Sequence, residues 1–386
     1  MSCVDMFWND GFGWPRSRTM ESGRISAPDG PADPENPGEV MKLDTVLLLC
    51  GVQIPPGYDW QIDTAIGLAQ GKVVLYRDMK QALSIPTGYN EHVSTDPDSH
   101  HLIGGHLYTE FSTSDHTFIK RDGEQLLDYD GREYLYGLLE RGSDIYTLAS
   151  RRSGFGFTCR KNGEIIFDSP GGFIFGSFQD STYPETGALY EDAGKICFSY
   201  KEYRWGSSAC VYKEGQRSLV NVEGNLDLQD VRMHGGDIVA VGISPAGHAY
   251  LVTRGCSTML GGGGFWDSCR LLCSDRDIYI AGNVSDSSGI RVRSVIMNAA
   301  DGVIKEERNG DARAFCDGSG VWLEPMEYAG YFCFSKGCLC SFAGDWYKAL
   351  TPKNGCCPIL MKNGEMREIE MNGYLTGVEM AVIPSS

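Results

Sequence analysis

Five aromatic side chains stand in stretches that interrupt an otherwise regular strand pattern: Tyr58 and Trp60 in residues 53–71, Tyr89 in 86–101, and Trp346 and Tyr347 in 336–355. Aromatic rings on loops offer large contact area at small rotamer cost, which makes these five the candidates for gripping a partner. The second stretch also carries Asp96, Asp98, His100 and His101, with His92 nearby. Carboxylate oxygens beside imidazole nitrogens could hold Zn²⁺ or another divalent ion. Their spacing follows no ligand motif, and a loop rich in Asp, Ser and His is ordinarily just solvated, so no metal is assigned. Cys333, Cys338, Cys340, Cys356 and Cys357 form a second possible donor set, again without the C-x2-C spacing of a thiolate site. No cofactor is implied.

Catalytic motifs are missing from the chain. It contains no G-x-S-x-G and no H-E-x-x-H, and its 7 histidines suggest no triad. Glycines 261–264 precede no helix whose N-terminus could cradle a phosphate. Asp63, Asp230, Asp317 and Asp345 could supply acid and base if the fold brought them together. With 51 acidic against 34 basic residues the formal charge is −17, which argues against nucleic acid and anionic lipid as partners. No apolar run is long enough for a membrane helix, and Asp5 and Asp10 interrupt the N-terminus where a signal peptide would be basic and then apolar. Leu47-Leu48-Leu49-Cys50-Gly51 resembles a lipoprotein cleavage box, but Asp44 and the short span before Cys50 oppose that reading. A cytoplasmic, monomeric protein is expected. The 14 cysteines include Cys159, Cys197, Cys210, Cys273 and Cys333 inside alternating apolar stretches, where reduced thiols act as small hydrophobes.

What would position these residues is a repeat. Asp144-Ile145-Tyr146-Thr147-Leu148-Ala149, Asp237-Ile238-Val239-Ala240-Val241-Gly242 and Asp277-Ile278-Tyr279-Ile280-Ala281-Gly282 are near copies, each a turn residue followed by a β-rich run. Alternating strands around Asn-Gly or Asp-Gly follow, the strongest short-range hairpin cue because both turn residues need positive φ. Seven such hairpins fall near Asp78, Asp122, Asn162, Glu214, Arg254, Asp301 and Asn363, at steps of 44, 40, 52, 40, 47 and 62 residues. Periods of about 40–50 residues holding four short strands mark propeller blades. The expectation is an all-β fold, a β-propeller of seven four-stranded blades over residues 41–386. Residues 1–40, with the Pro/Asp/Gly run 27–39, read as a tail or linker.

Very short turns join a preceding strand to each Asp-Ile-Tyr run, so strands follow one another from the hub outward. Blade one then lacks its inner strand, while a spare strand, 374–382, follows the last hairpin. Inserting that strand beside 44–50 closes the ring. This order puts loops between second and third strands, together with the crossings between blades, on one face of the disc. All three aromatic insertions would share that face, with the insertion 180–194 opposite.

The D-I-Y-x-A-G strand followed by a K-N-G hairpin resembles a group of bacterial β-propeller repeat proteins that are largely uncharacterised. The resemblance covers roughly residues 44–383 and is clearest at Asp144–Gly163 and at Asp277 to Gly282. It implies the propeller and no catalysis. The function expected is therefore a non-enzymatic recognition scaffold binding a protein or peptide on the insertion-bearing face. The alternative is an enzyme acting on a glycan or small molecule in the hub with acidic residues.

Overall fold

The computed structural model describes residues 43–384 apart from 59–69, 89–90, 94–98, 152–155, 175–188, 203–207, 221, 223–224, 262–263, 274–276, 286–290, 311, 318–319, 326, 329–330, 333–337 and 353–356. The tail assigned to residues 1–40 lies outside the described residues. Antiparallel ladders divide the chain into successive sheets, each built from the hub outward. Blade three shows the plan: Glu133–Arg141 innermost, then Asp144–Arg151, Phe157–Lys161 and Glu164–Ser169. Blade five (Asp227–His234, Asp237–Ile243, Ala249–Thr253, Cys256–Met259) and blade six (Phe265–Cys273, Ile278–Ser285, Arg291–Asn298, Ile304–Asn309) repeat it. Seven four-stranded blades in a ring make the chain a seven-bladed β-propeller.

Closure follows the expected route. Gly373–Pro384 lies antiparallel to Leu43–Gln53 along the whole length of that strand, from Leu43 opposite Pro384 to Gln53 opposite Gly373. It is the inner strand of blade one, completed by Lys72–Arg77 and Lys80–Pro86. Short polar clamps tie the inner strands of blades three and one to the blade before each. Thr117 accepts the Glu133 amide and donates to the Gly131 carbonyl, and Thr351 does the same for the Leu375 amide and carbonyl. Between blade three and blade four, whose second and third strands are Lys195–Glu202 and Ser208–Lys213, the apolar seam is aromatic, with Phe157, Phe167, Phe198, Tyr200 and Tyr212 in edge, tilted and stacked contacts.

The hairpin motif has a physical explanation. Asn162 sits at φ 51° and uses its amide as a strut: its Oδ1 accepts the Ile145 amide and its Nδ2 donates to Asp144. Lys161 pairs with the same aspartate at 2.7 Å. Blade seven repeats every contact, with Asn363 (φ 48°) on the Trp346 amide and on Asp345, and Lys362 2.8 Å from Asp345. Asn tolerates the left-handed region and reaches back to the backbone, so Asp, Lys and Asn recur as a set.

Two sequence expectations need correction. Residues 336–355 are not a loop between second and third strands: Leu339–Phe342 and Asp345–Pro352 are the inner and second strands of blade seven, followed by Ile359–Lys362 and Glu365–Glu368. The 62-residue step arises instead from an extra hairpin, Ala312–Asp317 with Gly320–Pro325, set between blades six and seven. Ala312, Ala314 and Leu323 pack on Leu272, Ala281 and Ile296 of blade six. Residues 86–101 likewise contribute strand as well as connection. His92–Val93 and His100–Ile103 together form the inner strand of blade two, against His106–Ser112.

Candidate functional site

The aromatic candidates do not share one face. Tyr58, 39% exposed, sits where the connection leaves the second strand of blade one, its carbonyl bonded by Asn372. Trp60 and Tyr89 lie outside the described residues, and so do Asp96 and Asp98. Trp346 and Tyr347 begin the second strand of blade seven, on the face of the first and third turns, opposite to the one expected. Trp346 packs half-buried against the seam of blades seven and one, with Lys348 Nζ 4.9 Å from its ring. Tyr347 is only 2% exposed and belongs to the same core. Both are strand residues because Asp345-Trp346-Tyr347 is another copy of the Asp-Ile-Tyr run.

His100 and His101 are strand residues too, His100 being buried. Among the described residues no group of three or more His, Cys, Asp or Glu side chains is placed to hold a metal ion. Of the thiols, Cys338 is buried and donates to the Leu375 carbonyl, while Cys333 and Cys356 lie outside the described residues. Burial pushes the Cys50 and Cys159 thiols up to about 12, which keeps them protonated and inert at neutral pH. No helix of the described residues is long and apolar enough to cross a membrane.

Of the acidic residues considered for the hub, Asp345 and Asp230 have structural occupations, while Asp63 and the side chain of Asp317 lie outside the described residues. Asp345 is held by Lys362 and Asn363. Asp230 is buried on the inner strand of blade five and accepts the Val231 amide and, across the blade interface, the Leu271 amide of blade six. Burial pushes its carboxyl up to about 6, against the opposing pull of Arg232 and the two amides. In the unfolded chain an aspartate titrates near ~3.9. The folded protein therefore holds the proton more tightly, and this contribution to stability is full below about pH 4 and lost as pH rises through about 6. Asp230→Asn cannot ionise. Chemical denaturation across this window should show wild type losing stability more steeply than the variant, and equal slopes would refute the assignment.

At the ring seam, blades seven and one enclose a cleft of about 530 Å³ lined by Thr45, Leu47, Arg77, Asp78, Lys80 and Gln81, with Ala82, Tyr347 and Met380. Its size falls within the usual range for ligand sites, ~300–1,000 Å³. Buried Leu47 and Tyr347, with half-buried Met380, make the apolar depth, and the blade-one hairpin makes the exposed polar lip. Burial raises the Tyr347 phenol, and Lys362, 5.5 Å from its ring, pulls the other way. The hairpin turns through Asp78 and Met79, both at positive φ, and Asp78 Oδ1 accepts the Leu47 amide at 3.0 Å. That bond equates Leu47 with Ile145 and Trp346, and Asp78 with Asn162 and Asn363.

Counting back one residue, Arg77 takes the place of Lys161 and Lys362, while Val46 stands where those lysines find Asp144 and Asp345. Equivalent cations in other blades are also matched, Lys213 by Asp192 at 2.9 Å and Arg121 by Glu140 at 3.5 Å. Arg77 and Lys80 form no ion pair among the described residues. Sequence reasoning passed over this cleft.

No protein-family model matches the chain, and no curated protein matches it. Solved structures do. One is a Mycobacterium tuberculosis puromycin-hydrolyzing peptidase, at 12% identity and TM-score 0.40, matched over 64% of this chain and 47% of the peptidase, so the chain spans about half of that protein. Others are BBS1N in complex with ARL6DN (8% identity, 80% and 90% of the two chains, TM-score 0.38) and the β-propeller domain of the Trilobed protease from Pyrococcus furiosus (9%, 78% and 88%, 0.40).

Proposed function

We propose that this chain is a non-enzymatic recognition scaffold that captures a protein or peptide segment, and that the seam cleft between blades seven and one is its point of capture. The observation that supports the reading is the cleft itself, with an apolar floor at Leu47, Tyr347 and Met380 under a polar lip at Arg77, Lys80 and Gln81. Apolar depth rewards burial of a side chain, and convergent polar groups fix its orientation. An extended segment fits such a site better than a flat protein face, because one anchor can enter while its backbone runs along the lip.

The test fills the cleft. Ala82 is exposed on its wall, so Ala82→Trp should occupy the space without disturbing the ring. An array of randomised nonapeptides, acetylated and amidated at their ends, is incubated with the full chain. Wild type should retain a subset of peptides, and Ala82→Trp should lose them by roughly tenfold or more, the scale of one buried anchor. Retention unchanged in Ala82→Trp would remove the cleft from the reading, and no retention by wild type would remove the reading.

A further inference from the structure

We infer that the seam cleft is also the seat of the chain's own N-terminal aromatic stretch, residues 7–14, which fills it until a partner segment displaces it. This rests on the cleft being a site for an apolar anchor, as the capture reading holds. The argument starts from the way the two ends of the chain meet. In blade three the second strand begins at Asp144, opposite Arg141, directly after a two-residue turn. The bonds that equate Leu47 with Ile145 put Val46, opposite Ala381, at the same level of blade one. There the ladder does not turn. It runs on through Thr45 opposite Val382, Asp44 opposite Ile383 and Leu43 opposite Pro384. At ~3.4 Å per residue this two-stranded ribbon rises roughly 10 Å past the turn level.

The ribbon has two unlike sides. Side chains alternate along a strand, so Leu43 and Thr45 share the side of Leu47 and look toward blade seven, as Val382 does with Met380. On the other side Ile383 joins the core shared with blade two, met so closely by the turn at Gly105 that a Cβ there would lie 2.7 Å from its Cγ2. Toward blade seven, Leu43 is 60% and Val382 53% exposed. Thr45 and Met380 line the cleft, so this largely apolar strip continues its floor at Leu47 outward. Such a surface rewards large apolar side chains. Residues 1–42 lie outside the described residues and join the ring at Leu43, about 7 Å along the strand from Thr45. Their aromatic residues are Phe7, Trp8, Phe12 and Trp14, four within eight positions. The 28 residues from 15 to 42 can span up to ~90 Å, so length does not prevent their return. Attachment beside the cleft makes the encounter intramolecular.

Trp14→p-benzoylphenylalanine in the full chain puts a photo-cross-linker in the stretch. Irradiated monomer, separated from cross-linked dimer and digested, should carry cross-links to Leu47, Tyr347 or Met380, and Ala82→Trp should cut their yield roughly tenfold. A stretch that holds the cleft about nine-tenths of the time weakens a foreign peptide roughly tenfold. On the array of capped nonapeptides, a full chain carrying Phe7→Ala, Trp8→Ala, Phe12→Ala and Trp14→Ala together should therefore retain the same peptides roughly tenfold more strongly than wild type. Cross-links to other blades, none within the monomer, or a yield indifferent to Ala82→Trp would overturn self-occupancy while leaving capture standing. Cross-links confined to the dimer would place the stretch in a second copy's cleft and overturn it too, as would equal retention by the two chains. An array on which neither chain retains a peptide, with the cross-links in place, would remove capture of foreign segments and leave self-occupancy standing.

Discussion

Deleting residues 373–386 should leave a chain that no longer folds to a soluble ring. The lost strand forms the inner ladder of blade one along all of Leu43–Gln53. It also buries Tyr374, Leu375, Val378 and Ala381, with Leu375 and Val378 in the core that blade one shares with blade seven. Each large apolar side chain removed from that core costs about 1.5–3 kcal/mol. Domains of this kind are stable by only ~5–15 kcal/mol in total, so several such losses together reach the whole margin. Further bonds go with them. Thr351 loses both partners on Leu375, Cys338 loses its carbonyl acceptor, and Cys50 loses Thr376.

The unpaired edge of Leu43–Gln53 is long and apolar, the kind that pairs with other chains, so inclusion bodies or soluble aggregates are the expected product. A synthetic peptide of residues 372–386 added during refolding should restore some monomeric ring by strand addition. A soluble truncated monomer melting at the wild-type temperature would show that closure is not what holds the ring.

Closure was legible in the sequence because it follows from counting: an inner strand missing at the start and a spare strand at the end have one economical resolution. The hairpins were legible for a stereochemical reason, since Asp122, Asn162 and Asn363 occupy positive φ where few residues are at ease. Blade seven was misread because its connections are rich in Cys and Gly, which hid the strands Leu339–Phe342 and Asp345–Pro352. The separation of 18 residues between Asp345 and Asn363, identical to that between Asp144 and Asn162, would have located its second strand. The seam cleft was less accessible. It forms between the two ends of the chain.

The second large effect is expected at the buried ion pair of Arg160 and Glu133, whose side chains are 6% and 5% exposed. Glu133 begins the inner strand of blade three and Arg160 lies on the third strand of the same blade, so the pair spans the sheet. Its remaining lone pairs are used: Thr158 donates to both carboxylate oxygens, at 3.1 and 3.2 Å, and a second guanidinium nitrogen reaches Oε1 at 3.0 Å. The guanidinium also lies over the ring of Tyr129, 4.2 Å from its centroid, on the outer strand of blade two. Breaking such a pair from one side strands a charge away from water, at about 3–5 kcal/mol. Arg160→Met should therefore lower the urea midpoint severely, because Glu133 then keeps only the threonine hydroxyl. Glu133→Leu should be comparably damaging by stranding the cation. The double variant removes both charges and leaves an apolar volume of similar size, and replacements of that kind are often neutral. It should recover most of the loss, giving a coupling between the two positions of several kcal/mol in a double-mutant cycle. If Arg160→Met alone costs less than ~1 kcal/mol, water reaches the pair and the blade interface at Tyr129 is looser than its burial implies.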